Sequence, residues 1–124
     1  MPAPSILIVD DDVNNRLLLA TLIRHAGFEP LEAGCAQEGL RLAVEESPVA
    51  AIVDLSLPDM PGAQVIRRLR EDAHTAGMRI ALYTATRLGA AIEELTETYR
   101  IDAVIPKPGD PRETLDIIKR LAGA

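Results

Sequence analysis

Along this chain, short apolar runs alternate with longer stretches in which apolar residues recur every three or four positions. The short runs are Ser5 to Val9 (SILIV), Val49 to Val53 (VAAIV), Met78 to Tyr83 (MRIALY) and Ala103 to Ile105. Apolar runs of that length, bounded by polar or turn-forming residues, predict strands buried on both faces. Phe28 to Ala33 (FEPLEA) is a weaker strand, and Pro30 within it predicts an edge position because proline cannot donate to a neighbouring strand.

Between the strands, Leu17, Leu18, Ala20, Leu22 and Ile23 predict a helix that starts at caps offered by Asn14 and Asn15 and stops at Gly27. Gln37 to Glu46 predicts a second helix with Leu40, Ala43 and Val44 inward, ended by Ser47-Pro48. Gly62 to Glu71 predicts a third, with Val65, Ile66 and Leu69 on the buried face and Arg67, Arg68 and Arg70 on a solvated one. Ala90 to Tyr99 is the fourth. Pro111 to Leu121 is the fifth, with Asp110 as N-cap and Leu115, Ile118 and Leu121 on one face.

This repeated strand–helix alternation implies a parallel sheet with right-handed crossovers and helices on both faces, a doubly wound α/β fold. With no linker, repeat or low-complexity tract, residues 1–124 read as a single domain. A chain of 124 residues can bury one core without disulfides or a structural metal. Aromatics are only 2% of the residues and tryptophan is absent, so that core must be built from Leu, Ile, Val and Ala.

Charge and cysteine usage narrow the function classes. A net charge of -6 argues against a nucleic-acid surface, which needs clustered Lys and Arg. The single cysteine, Cys35, cannot form an internal disulfide and suits a reducing compartment; with no histidine near it in sequence, it reads as a packed or loop residue rather than a nucleophile. The N-terminus MPAPS has no basic region, and no apolar run approaches the roughly 18 residues that a membrane span needs. The expectation is a cytoplasmic domain without a membrane contact. His25 and His74 read as surface residues.

In open parallel sheets, chemistry sits beyond the carboxyl ends of the strands. Strand one ends in Asp10, Asp11 and Asp12, strand three in Asp54, strand four in Thr84 and strand five in Lys107. Carboxylates converging without compensation repel one another, so the set demands a cation, and hard oxygen ligands favour Mg²⁺. A lysine can pair with Asp54 or with a phosphoryl oxygen, and a threonine hydroxyl can donate to the same group. The chemistry implied is phosphoryl transfer onto a carboxylate. Taken singly, the same residues have plainer readings: Asp12 as a helix cap or solvated acid, Thr84 as a strand-end threonine, Lys107 as a surface lysine between turn prolines.

As a set, ILIVDDD, IVDLSLPDMPG, ALYTAT and VIPKP resemble the receiver domain of two-component response regulators over essentially the whole chain. The resemblance implies a flavodoxin-like (βα)5 sheet of order 2-1-3-4-5. It also implies that Asp54 is the phosphoacceptor, with Mg²⁺ held by Asp11 directly, by Asp10 through a bound water, by Asp54 and by the backbone carbonyl of Ser56. Thr84 would be the switch hydroxyl and Lys107 the residue that pairs with the phosphoryl group, with the Lys107-Pro108 peptide cis. Ser56 and Thr86 would flank the phosphoryl pocket and tune dephosphorylation. The expected phosphodonor is a phosphohistidine on a sensor histidine kinase or histidine phosphotransfer protein. The expected downstream partner docks on the face formed by Ala90–Tyr99, Ala103–Ile105 and Pro111–Leu121. The expectation is a signalling chain rather than an enzyme in its own right, with no room for an output domain: either a single-domain regulator or a receiver excised from a larger regulator or hybrid kinase.

Two positions depart from the family pattern: Val104 stands where an aromatic commonly couples to the switch threonine, and Gly109 replaces a frequent aromatic. A second reading takes DDDVN as a loose match to the DxDx[TV] motif of haloacid-dehalogenase-type phosphatases, with Asp10 as nucleophile and Asp12 as general acid. Against it, Asn14 replaces the hydroxyl or valine and Asp54 is left without a role. A third reading is a receiver-like module that binds partners without being phosphorylated; the complete set of Asp11, Asp54, Thr84 and Lys107 argues against it.

Overall fold

The computed structural model describes residues 3–85 and 89–123. Strands β1 (Ser5–Val9), β2 (Glu29–Ala33), β3 (Ala50–Asp54), β4 (Arg79–Thr84) and β5 (Ala103–Pro106) alternate with helices α1 (Val13–His25), α2 (Ala36–Glu46), α3 (Gly62–Glu71), α4 (Ala90–Tyr99) and α5 (Pro111–Gly123). All strand pairs are parallel, in the order β2-β1-β3-β4-β5. Pro30 therefore lies on an edge strand, as its missing N–H requires.

Side chains on successive strand positions point to opposite faces, and the core divides accordingly. Leu7, Val9, Ala51, Val53, Ile80 and Leu82 pack with α2, α3 and Ile92 of α4. Ile6, Ile8, Ala50, Ile52, Ala81, Tyr83 and Ile105 pack with α1 and α5. The interior strands β1 and β3 are thus covered on both sides, which is why they read as unbroken apolar runs.

Several local expectations are corrected. The cap of α1 is Asp12, not Asn14 or Asn15: its carboxylate accepts the N–H groups of those two residues at 2.7 and 3.2 Å. Leu19, Ala20 and Ile23 form its buried face, while Leu17 and Leu18 are 62% and 42% exposed. In α2 the inward row is Ala36, Gly39 and Ala43, and Val44 turns to solvent. Gly39 explains the rotation. A Cβ there would meet Val9 Cγ2 at 2.7 Å, so the helix presses its small-residue face onto β1. Arg70 is also not part of a solvated face. Its side chain is only 9% exposed, and its guanidinium donates to the carbonyls of Tyr99 (2.7 Å), Ala76 (3.0 Å), Arg100 (2.9 Å) and Met78. The loops entering β4 and β5 expose carbonyls that lack strand partners, and a long stem with a forked head can reach several of them.

Candidate functional site

The parallel register carries chemistry-bearing residues to one sheet edge. Ile8 pairs with Ile52 and Val9 with Val53, and Asp54 pairs with Tyr83, which pairs with Ile105. Extending the alternation by one step places Asp10, Asp54 and Tyr83 in a row on the α1/α5 face of the sheet. Lys107 crosses above this row. Its N–H donates to the Thr84 carbonyl (3.0 Å), and its ammonium lies 3.0 Å from Asp54 Oδ2, 3.4 Å from Asp10 Oδ2 and 4.8 Å from the centre of the Tyr83 ring. The Lys107-Pro108 peptide is cis, as expected.

Asp10 is 1% and Asp54 5% exposed, and each carboxylate is held by local donors. Asp10 accepts from the Asp12 N–H (2.8 Å) and from Asn15 Nδ2 (3.3 Å), and Asp54 accepts from the Ser56 N–H (3.0 Å). Arg16 donates to the backbone carbonyl of Asp10 at 2.8 Å. Burial works to lower the Lys107 pKa, but the hydrogen bond to Asp54 and the negative charges of Asp10 and Asp54 outweigh it, so the ammonium is held above its ordinary 10.5. Burial pushes the Tyr83 hydroxyl up from 10.0 against the opposing charge of Lys107, so the ring stays neutral.

Asp11 is exposed, and one oxygen each of Asp10, Asp11 and Asp54 lie within 4.8 Å of one another. Three hard carboxylate donors that close, facing solvent on one side, fit a small divalent cation that keeps part of its water shell. Among the described residues, neither nitrogen nor sulfur ligands belong to the cluster. The donor chemistry therefore suits a hard divalent cation of the Mg²⁺, Ca²⁺ or Mn²⁺ kind.

The structure thus brings Asp10, Asp11, Asp54 and Lys107 together, with Thr84 buried at the end of β4. Asp12 is set apart by its capping role. Thr86 lies outside the described residues. Sequence reasoning missed Asn15, Arg16 and Tyr83. Only Tyr83 carried a signal, as the one aromatic in β4 next to the strand end.

A family model described as the response regulator receiver domain matches residues 6–119. The transcriptional regulatory protein SrrA of Staphylococcus aureus is 37% identical over 116 residues, 94% of this chain and 46% of that protein. The chain therefore spans about half the length of the curated relatives it matches. Among solved structures, the CheY-like response regulator receiver domain protein from Methanospirillum hungatei JF-1 aligns with a TM-score of 0.85 at 30% identity, covering 95% of this chain and 92% of that one. The receiver domain of the sensor histidine kinase PA1611 from Pseudomonas aeruginosa PAO1, solved with a magnesium ion coordinated in its active site cleft, aligns with a TM-score of 0.85 at 22% identity, covering 98% and 99%. At that identity the likeness is one of fold.

Proposed function

Because the chain belongs to the response regulator receiver domain family, we propose that residues 1–124 act as one receiver domain whose phosphoacceptor is Asp54. The convergence of Asp10, Asp11 and Asp54 within 4.8 Å, with Lys107 3.0 Å from Asp54, carries this reading.

In the proposed reaction an Asp54 oxygen attacks the phosphorus of a phosphohistidine on a histidine kinase or phosphotransfer protein. The O–P bond forms as the P–N bond breaks, and the released imidazole takes its proton from solvent. The Ser56 N–H orients the carboxylate through Oδ1. Lys107, already bonded to Oδ2, is placed to follow the charge onto the incoming phosphoryl oxygens. Thr84, at the end of β4, is the hydroxyl that answers the new group. Asp10, Asp11, Asp54 and the carbonyl of Ser56 would hold Mg²⁺, as a magnesium ion is held in the cleft of the PA1611 receiver domain. Mg²⁺ would neutralise charge on the transferring oxygens.

The phosphorylated state would be read by a downstream protein on the α4–β5–α5 face, through a shift between two arrangements of that face. Val104 is half-buried against the α2/α3/α4 side of the core and has no ring to move, so transmission here proceeds without the usual aromatic. Loss of the phosphoryl group by hydrolysis at Asp54 would reset the domain.

The phosphatase reading is less well supported, because Asp12, its general acid, already spends its carboxylate on the N-terminus of α1. The test is intact-mass spectrometry after incubation with acetyl phosphate and Mg²⁺. A gain of one phosphoryl group that disappears in Asp54→Ala is expected. An adduct that survives Asp54→Ala but is lost in Asp10→Ala would overturn the assignment.

A further inference from the structure

Helix α2 begins without a cap of its own. Cys35 stands at the N-cap with an extended backbone (φ -153, ψ 168) and makes no side-chain capping bond. The first amides of the helix are bonded instead by a residue far along the chain: the Ala36 N–H donates to Asp59 Oδ1 at 2.9 Å and the Gln37 N–H to Asp59 Oδ2 at 3.0 Å. These two bonds hold the Asp59 carboxyl below its ordinary 3.8, so both oxygens accept at neutral pH.

Asp59 sits in the loop that leaves β3 after Asp54. That loop is closed at its base, where the Gly62 N–H donates to the Leu55 carbonyl at 3.0 Å. It also folds back on the acceptor itself, since a Cβ on Gly62 would lie 2.3 Å from the Asp54 carbonyl oxygen. Leu57 and Met60 pack against the core and set the loop's depth, but Ser56, Pro58 and Asp59 are exposed. The bidentate bond to α2 fixes the tip sideways. Helix α2 is in turn seated on β1 through Gly39 and Val9, and β1 delivers Asp10.

We propose that Asp59 is a positioning residue for the metal and phosphoacceptor site: by capping α2 from the β3–α3 loop, it registers Ser56 and Asp54 against Asp10. The inference rests on the reading of these residues as Mg²⁺ ligands. A side chain that holds a ligand-bearing loop acts on metal affinity without touching the metal.

Four proteins test this: wild type, Asp59→Ala, Asp59→Asn and the double variant Cys35→Ser/Asp59→Ala. Serine is nearly the size of cysteine and is a good N-cap, so the double variant returns a local cap to α2 without restoring the tether. Thermal unfolding in EDTA reads the cap, and calorimetric titration with Mg²⁺, at a temperature where every variant is folded, reads the tether. Asp59→Ala should lower both the midpoint and the affinity. The double variant should regain the midpoint yet bind Mg²⁺ roughly tenfold more weakly than wild type. Asp59→Asn keeps an acceptor oxygen and should stay nearer wild type than alanine does. The inference is overturned if the double variant regains wild-type affinity, which would make Asp59 a helix cap only, or if asparagine weakens binding as much as alanine, which would make its role one of charge. Wild type failing to bind Mg²⁺ would instead remove the reading of the site itself, and this inference with it.

Discussion

Removing a proposed metal ligand should stabilise the metal-free protein, and Asp11→Asn is the variant in which that effect is cleanest. Lys107 is ion-paired with Asp10 and Asp54, whereas Asp11 has no ion pair among the described residues and stands on the solvent side of the cluster. Two unit charges 4.8 Å apart repel by about 0.9 kcal/mol in bulk water and about 3.5 kcal/mol at an effective dielectric of about 20. Exposure puts Asp11 near the lower figure, so its two neighbours together cost about 2 kcal/mol, of which the Lys107 ammonium offsets roughly half. Asp11→Asn should therefore gain about 1 kcal/mol, a rise of roughly 4 °C in the unfolding midpoint for a domain of this size. The measurement is thermal unfolding in EDTA at low ionic strength, repeated with Mg²⁺ and at high salt. Salt should shrink the gain, because the charge is exposed. Mg²⁺ should raise the midpoint of wild type by mass action and do so far less for the variant. A variant less stable than wild type in EDTA, or one that Mg²⁺ stabilises equally, would rule out repulsion at Asp11 as a cost relieved by the metal.

Three further substitutions separate the fold from the site. Arg70→Ala removes a guanidinium that donates to four backbone carbonyls. Each charge-assisted bond is worth about 1.5–3 kcal/mol net, and water replaces part of them at this edge, so a loss of about 3 kcal/mol is expected in urea unfolding, with the phosphoryl adduct at Asp54 still formed by the folded fraction. Gly62→Ala places a methyl 2.3 Å from the Asp54 carbonyl oxygen and 2.6 Å from Leu55 Cα, backbone atoms that cannot swing away. It should cost about 1–3 kcal/mol and also reduce adduct formation, whereas Gly77→Ala, with nothing within 4 Å of the added carbon, should leave adduct formation unchanged.

The sheet and its edge residues were legible because their signals are local or topological. Two clear periods mark strands and helices, and α3 and α4 span the residues their patterns predict. Placing Asp10, Asp54 and Lys107 together needs only the rule that parallel strands end on one edge. Helix rotation was harder to read. The run LLLATLI is apolar around more than half of α1, so composition does not choose between Leu18 and Leu19 for the core; in α2 the choice falls to Gly39, which admits close approach to Val9. Arg70 lies on the polar side of its helix by periodicity, yet its stem carries the charge beneath the loops. Asp59 was invisible for another reason: its bonds to Ala36 and Gln37 cross 23 and 22 residues, and no local pattern records them.

The two edges of the sheet carry opposite electrostatic states, and that division bears on how a receiver domain can respond without losing its fold. At the amino edge, charges are matched to backbone partners: Arg70 to four carbonyls, Asp102 to the Ile80 N–H at 2.8 Å, Arg79 to the Leu121 carbonyl at 3.0 Å. The buried hydroxyl of Thr75 is likewise satisfied by the Leu69 carbonyl at 2.6 Å. At the carboxyl edge, among the described residues, three carboxylates face the one ammonium of Lys107, a local surplus of negative charge. Binding of a cation, or the proposed conversion of Asp54 to an acyl phosphate, would change the free energy chiefly where that surplus lies. The segments able to respond are then those joined to the carboxyl edge, such as the loop held by Asp59 and the turn after Lys107. The core between the edges is close-packed and apolar, so it transmits such a shift as a rigid body more readily than it absorbs it.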